Sequence, residues 1–314
     1  MANILKVIFG DATLGVKGEG FHYIFSYPKG GLESLVKGGK EWLYRVPRPT
    51  FWRATTDNDR GNGFSYDSGM WLGADLFSRC IDRRVVINGH KIEFPQAPAN
   101  NRYSNHETAK TVEVAFVFET STVPKTKVDV SYLVQGNGKI KLSMVYHGCY
   151  GLPSLPLLGM RFIMPTKAVG YEYEGLSGET YPDRMTGANQ GKFLVSGLPV
   201  TPYLVPQDCG IHMETLWLEV HRNTTLNNSD RDKDEYHLRF EAAEHKFAFS
   251  CLPYTATELE NAYHQEELPQ PRRTVVSILA KVRGVGGIDS WGSEPEKKYQ
   301  IAADQTIKLS FFIS

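Results

Sequence analysis

The sequence predicts an all-β protein, a large antiparallel β-sandwich with few short helices. Three observations lead there: apolar and polar residues alternate with a period of two, turn residues separate the runs, and helical patterning is scarce. The stretch 111–118, Thr-Val-Glu-Val-Ala-Phe-Val-Phe, is rich in β-branched and aromatic residues. Segments 127–134 and 139–146 alternate cleanly, and Gln135-Gly136-Asn137-Gly138 between them supplies residues that tolerate positive φ. A second hairpin is expected over 85–92, with Asn88-Gly89 at its tip. Further strands are expected at 21–27, 212–220, 237–240, 246–250, 275–282 and 307–312.

Helical signals are confined to two places. Thr255 and Glu258 stand three apart in a capping-box arrangement, so a helix is expected over 255–264. A second short helix is expected within 65–77. The proline-bearing 47–49 segment and the Gly/Asn/Asp-rich 57–63 stretch read as structured loops. No repeat, low-complexity tract or linker interrupts the chain. A single domain over 1–314 is therefore expected, with 1–17 as an N-terminal lead-in.

Composition excludes several function classes. The 314 residues carry 35 Lys+Arg against 35 Asp+Glu, so the basic excess that phosphate neutralisation demands is missing, and no nucleic-acid partner is expected. No apolar run approaches the roughly 20 residues that span a bilayer, so no membrane partner is expected. Residues 1–10 lack the basic and apolar regions of a secretory leader. Cys80, Cys149, Cys209 and Cys251 are scattered, with no Cys-x-x-Cys pair. Reduced thiols in a cytoplasm fit this usage. The sequons at Asn223 and Asn227 accordingly read as a polar loop.

Familiar chemical motifs do not assemble. Gly284-Val285-Gly286-Gly287 lacks the spacing and the βαβ context of a dinucleotide loop, and reads as a backbone that needs positive φ or close packing. Asp57-Asn58-Asp59-Arg60-Gly61 begins like a calcium loop, but Ser68 stands where the twelfth-position Glu belongs. The nine histidines show neither His-x-x-x-His nor His-Glu-x-x-His, so no metal site is expected. No Gly-x-Ser-x-Gly elbow exists. Glycosidases need two carboxylates, held roughly 5 Å apart in retaining enzymes. Nothing physical singles out Glu172, Glu174, Glu179 or Asp183 for that role.

Four ordered segments carry a resemblance. Phe51-Trp52-Arg53-Ala54-Thr55-Thr56-Asp57-Asn58-Asp59-Arg60-Gly61, Glu179-Thr180-Tyr181-Pro182-Asp183-Arg184, Thr201-Pro202-Tyr203-Leu204-Val205-Pro206-Gln207-Asp208-Cys209-Gly210 and Val285-Gly286-Gly287-Ile288-Asp289-Ser290-Trp291 resemble successive motifs of one family. That family is the C-terminal domain of bacterial β-galactosidases of glycoside hydrolase family 2. The resemblance runs from near Gly18 to Ser314. Cys209, Asp208 and Ile288 depart from it, where Asn, Glu and a second Asp are usual. The chain length and the early Met1 resemble the small subunit of heterodimeric members, whose enzyme is divided between two polypeptides.

The resemblance implies a supersandwich related in architecture to galactose mutarotases, which agrees with the period-two reading. It implies β-galactoside hydrolysis, lactose included, in an assembly with a large subunit carrying the TIM barrel and its glutamates. No catalytic residue is then expected on this chain. No cofactor is expected here either; Mg²⁺ and a monovalent cation, Na⁺, are implied on the large subunit. The residue carried over is Trp291, which in the family stacks on the bound sugar. Asp57, Asn58, Asp59, Gly61, Asn62, Gly63 and Phe64 correspond to a mobile loop at the active-site mouth, with the aspartates and Asn58 bracing it by local hydrogen bonds. Arg53, Tyr181, Pro182, Asp183, Arg184, Gly286, Gly287 and Asp289 are motif residues of structural character. Two other readings stay open: a self-sufficient mutarotase-like epimerase with a His acid and a Glu base, and a non-catalytic carbohydrate-binding or scaffolding domain.

Overall fold

The computed structural model describes residues 4–94 and 106–314. Leu5–Phe9, Thr13–Gly18, Phe21–Ser26, Gly31–Lys37 and Lys40–Glu41 form strands β1 to β5, each paired with the next. The stretch read as a lead-in thus carries β1 and most of β2. Strand β6 (Arg45–Thr50) runs into two short helices, α1 (Asp57–Gly61) and α2 (Phe64–Asp67). Arg79–Ile87, His90–Lys91, Thr108–Ala109 and Thr111–Glu119 are β7 to β10. Lys127–Gln135, Ile140–Tyr146, Leu157–Met164, Gly170–Leu176 and Gln190–Ser196 are β11 to β15. Ile211–Thr215, Trp217–Arg222, Tyr236–Ala242 and Phe247–Leu252 are β16 to β19. Helix α3 (Ala256–Glu260), β20 (Thr274–Val282) and β21 (Ile307–Ile313) complete the chain.

These strands make three sheets among the described residues. A six-stranded sheet has the order β5-β4-β3-β2-β1-β9, a ten-stranded sheet β15-β14-β17-β18-β21-β12-β11-β10-β7-β8, and a five-stranded sheet β16-β19-β20-β13-β6. All their pairings are antiparallel, which bears out the all-β, large antiparallel architecture. The ten-stranded sheet is the common layer. Phe162 on β13 meets Phe240 and Phe311 with ring centroids 5.1 and 6.1 Å apart, and Phe25 on β3 meets Tyr132 on β11 at 5.6 Å. All five rings are fully or almost fully buried. Burying each contributes on the order of 1.5–3 kcal/mol, which is what clamps the layers.

The two hairpins form as the turn residues dictate. Asn88 and Gly89 both have positive φ, 51° and 81°, as a two-residue turn of this hand needs. Gly138 adopts φ 82° at the end of the β11–β12 turn. Three expectations need correction. The single strand expected over 212–220 is two strands in different sheets: β16 pairs with β19, whereas β17 pairs with β14 and β18. Glu214, at φ 54°, kinks the end of β16 where its register with β19 shifts, and the chain crosses to the other sheet at Leu216, a switch that alternation cannot reveal. The helix expected within 65–77 is α2 followed by a 3₁₀ turn, Gly69–Trp71. The 57–63 loop is mostly helix α1.

Candidate functional site

Beyond β6 the chain runs inward, and Phe51, Trp52, Arg53, Ala54, Thr55 and Thr56 are all buried. An arginine at 1% exposure must spend its donors well, since an unpaired buried charge is costly. Arg53 Nη2 donates to both carboxylate oxygens of Asp59 at 3.1 and 3.0 Å and to the Gly284 carbonyl at 3.0 Å; Nη1 donates to the Arg283 carbonyl at 2.6 Å. Its guanidinium also lies 5.9 Å from the centre of the Tyr181 ring. Arg53 therefore ties the start of α1 to the segment that leaves β20.

Helix α1 is nucleated by its own cap. Thr56 accepts from Asp59 N at 3.1 Å, and Asp59 Oδ2 accepts from Thr56 N at 3.1 Å, a reciprocal box. Asp57 N donates to Gln207 at 2.8 Å, and the Asp57 carboxylate meets Arg60 at 2.7 Å. Asn58 reaches out of the helix, its Nδ2 donating to the Val285 carbonyl at 2.8 Å. Gly63 caps α2 at φ 82°, Asn62 Oδ1 accepts from Phe64 N at 3.0 Å, and Phe64 is buried under the Arg283 guanidinium, 3.8 Å from its ring centre. Asp57 and Asp59 brace this segment by local bonds, whereas Asn58, expected to do the same, ties it to the segment after β20.

The second wall is the 284–293 loop after β20. Asp183, almost buried at 6% exposure, accepts from Val285 N at 2.9 Å and Gly286 N at 2.8 Å, one bond to each oxygen. A Cβ at Gly284 would stand 2.8 to 3.0 Å from that carboxyl group, so the close approach requires glycine. Arg184 donates to the Gly286 carbonyl. Gly286 and Gly287 have φ 67° and 72°, as the glycine-rich stretch demands. At the tip, the Ser293 hydroxyl donates to Asp289 Oδ2 while Oδ1 accepts from Trp291 N at 3.0 Å and Ser293 N at 3.2 Å; the hydroxyl bond first, and then the two backbone bonds, hold this carboxyl below the usual range. A Cβ at Gly292 would lie 3.2 Å from the Gly61 carbonyl, and one at Gly287 would lie 2.8 Å from the Asn58 amide. The loop thus rests on α1.

Trp291 stands at 92% exposure beyond this braced base, so it has no packing role in the isolated chain. Tyr181 is buried and donates to Asp208 Oδ2 at 2.9 Å. Burial pushes the Asp208 carboxyl up to about 7, with Arg53 and the Tyr181 hydroxyl opposing. The neighbouring Cys209 thiol is buried and pushed up to about 12, which makes it inert near neutrality. Pro182 instead lines a separate cleft of about 810 Å³.

Sequence reading missed Glu260, Gln207, Arg283 and the histidine cluster on the ten-stranded sheet. Glu260 on α3 accepts from Trp52 Nε1, Thr55 N and Thr55 Oγ1 at 3.1, 2.6 and 2.7 Å, so α3 braces this corner from the far side. No local signal could have paired residues some 200 positions apart. Thr56-x-x-Asp59, by contrast, is a local signal that could have marked α1, although the stretch read as a loop. His221 and His237, with Glu219, bring their ligand atoms within 4.8 Å of one another, although the sequence shows no metal spacing. Among the described residues no helix is long and apolar enough to cross a membrane.

Comparison with known proteins supplies the family. Residues 17–313 match the family described as Beta galactosidase small chain. The chain is 59% identical over 310 residues to the β-galactosidase small subunit of Latilactobacillus sakei, covering 99% of this chain and 98% of that one. It is 33% identical to β-galactosidase BgaC of Bifidobacterium adolescentis and 32% identical to the β-galactosidase of Halalkalibacterium halodurans, spanning 97% and 99% of this chain but only 27% and 28% of those relatives. A galactose mutarotase-like protein from Lactobacillus casei superposes over 96% of this chain and 99% of its own at 10% identity and a TM-score of 0.42, too distant a likeness to carry an argument. By the match over 17–313 and the full-length likeness to the L. sakei subunit, this chain belongs to the β-galactosidase small-chain family.

Proposed function

We propose that the chain is the small subunit of a heterodimeric β-galactosidase, completing an active site whose catalytic carboxylates lie on a large, barrel-bearing subunit. The observation that carries this reading is Trp291, 92% exposed at the tip of a loop whose base is fixed by Arg53, Asp183 and Asn58. A Trp held this way in water serves no purpose in the isolated fold. Against a sugar it offers a flat electron-rich face for the C–H groups of a galactose or glucose ring, at small entropic cost because few torsions need fixing. Asp57 to Phe64 form the adjoining wall, and the Gly61–Gly63 stretch is its conformationally free part.

The chain's own residues position and exclude water; they supply no proton donor or nucleophile. The carboxylates at this corner are already engaged: Asp59 by Arg53, Asp183 by two backbone N–H groups, Asp289 by its own loop. They do not form a donor set for Mg²⁺ or Na⁺, so in this reading both ions lie on the large subunit. The mutarotase reading is disfavoured by the 810 Å³ cleft, where His245 has Glu214 and Glu244 for neighbours. Those carboxylates pair with Lys246 at 3.5 Å and Lys141 at 3.1 Å, which suits neither as a general base.

The decisive experiment assays the chain on a chromogenic β-galactoside, alone and after mixing with a barrel-bearing large chain. Silence alone and turnover on mixing are expected; robust turnover by this chain alone refutes the proposal. In the assembled enzyme Trp291→Ala is expected to weaken binding of galactose or acceptor glucose while the subunits stay associated. An unchanged kinetic profile would remove the sugar-platform role.

A further inference from the structure

We propose that Glu219, His221 and His237 form a binding site for a divalent transition-metal ion of the zinc class, separate from the sugar-facing corner. Strand β17 alternates, so Glu219 and His221 share its outer face while Leu218 and Val220 enter the core. On β18, His237 lies directly opposite His221 in the antiparallel register, so the two imidazoles project from the same face. Their ring centroids are 4.3 Å apart and nearly perpendicular, at 84°. This edge-on arrangement lets two ring nitrogens converge rather than stack.

The donor atoms already point inward. His221 Nε2 lies 3.7 Å from Glu219 Oε1, and His237 Nδ1 lies 3.9 Å from the same oxygen. A tetrahedral ion with bonds of about 2.0–2.2 Å spaces its ligand atoms about 3.4 Å apart. Small torsional changes, chiefly in the half-exposed His237, close the difference. Arg239 approaches the other oxygen, Oε2, at 3.8 Å, which leaves Oε1 facing the histidines.

Two further observations point to a ligand. His221 Nε2 is buried with no hydrogen-bond partner, a position that native structures seldom leave unexplained. Its other nitrogen, Nδ1, has Glu235 Oε2 3.8 Å away, beyond a direct hydrogen bond but on the side where an outer carboxylate orients a metal-bound histidine. Two imidazoles and one carboxylate suit Zn²⁺, Ni²⁺ or Cu²⁺, whereas Mg²⁺ and Ca²⁺ demand mostly oxygen. Three protein donors leave a fourth position for water. Bound there, the ion bridges β17 and β18 as a cross-strand clamp.

The test titrates the full-length, tag-free chain with ZnCl₂ by calorimetry, beside His237→Ala, Glu219→Gln and the control His245→Ala. One saturable equivalent is expected in the parent and in the control, weakened at least about tenfold in the other two. Since His237 is 42% exposed at its side chain, its variant should match the parent in metal-free circular dichroism and thermal midpoint. A zinc-induced rise in midpoint should appear in the parent and vanish in His237→Ala. Absence of any saturable equivalent in the parent overturns the proposal. So does parent-like affinity in His237→Ala or Glu219→Gln, or an equal loss in the His245→Ala control.

Discussion

Asp183→Ala removes the carboxylate that holds the root of the tryptophan loop. In the parent, Val285 N and Gly286 N donate to its two oxygens at 2.9 and 2.8 Å, and the side chain is only 6% exposed. Hydrogen bonds to a charged acceptor contribute about 1.5–3 kcal/mol each. Val285 is half-buried and water can reach part of what is uncovered, so the lower figure applies to both. A local loss of about 3 kcal/mol follows, equivalent to roughly a hundredfold faster opening, at 1.4 kcal/mol per factor of ten. The assay is amide hydrogen exchange of the full chain, resolved at Val285 and Gly286. Both amides should exchange about two orders of magnitude faster, with much smaller changes in the core strands β11 and β12. Asp183→Asn should fall between, since its amide oxygen still accepts one bond while its NH₂ group opposes the other donor. Exchange at both amides within threefold of the parent would refute the view that Asp183 anchors this loop.

Two other outcomes are expected. Arg53→Met strands the Asp59 carboxylate at 1% exposure and should destabilise the chain by about 3–5 kcal/mol in urea titration. Adding Asp59→Asn should restore part of it, and an unchanged urea midpoint in the single variant would dismiss the ion pair as a support. The pH dependence turns on two buried groups of opposite sign. Asp208 rises from 3.8 to about 7, so the folded state holds its proton longer and stability from this group is lost as pH climbs towards 7. Burial lowers His212 from 6.5 to about 4, so its stability is present above 6.5 and is lost as pH falls towards 4. Each slope reaches at most about 1.4 kcal/mol per pH unit, and the two oppose each other between pH 4.5 and 6.5. Asp208→Asn should unmask the histidine, making urea stability rise over that interval; a slope equal to the parent's would contradict the assignment.

Local chemistry fixed much of this molecule before any tertiary contact was known. Alternation over 111–146 became β10, β11 and β12, because a sheet with one buried face imposes period two on its strands. Asn88-Gly89 made its turn because both residues accept positive φ. Thr255-x-x-Glu258 capped α3, and the same box at Thr56-x-x-Asp59 would have marked α1 had the dense Gly, Asn and Asp content not read as loop. The glycines of 284–287 were legible as special backbone, and the ordered motifs were legible as a family. What those glycines approach was not legible.

The remainder needed three dimensions. Strand order is decided by which apolar faces meet, so nothing in the one run 212–220 could show that β16 and β17 belong to different sheets. The corner beneath Trp291 joins Arg53, Asp59, Asp183, Asp208, Arg283 and Glu260, drawn from five distant segments; Arg53 pairs with Asp59, donors from other segments hold Asp183 and Glu260, and burial raises the Asp208 carboxyl. A charge is affordable there only once its partner is in place, which is a property of the fold and of no local window. The histidine pair follows the same logic: His221 and His237 stand sixteen positions apart, and only antiparallel register sets them face to face. The sequence alone determined that this chain builds sheets and carries a glycine-flanked tryptophan. Tertiary structure decided that the tryptophan is left 92% exposed on an anchored loop, because the bonds that fix its base come from Asp183 and Asn58, residues more than 100 positions away in the chain.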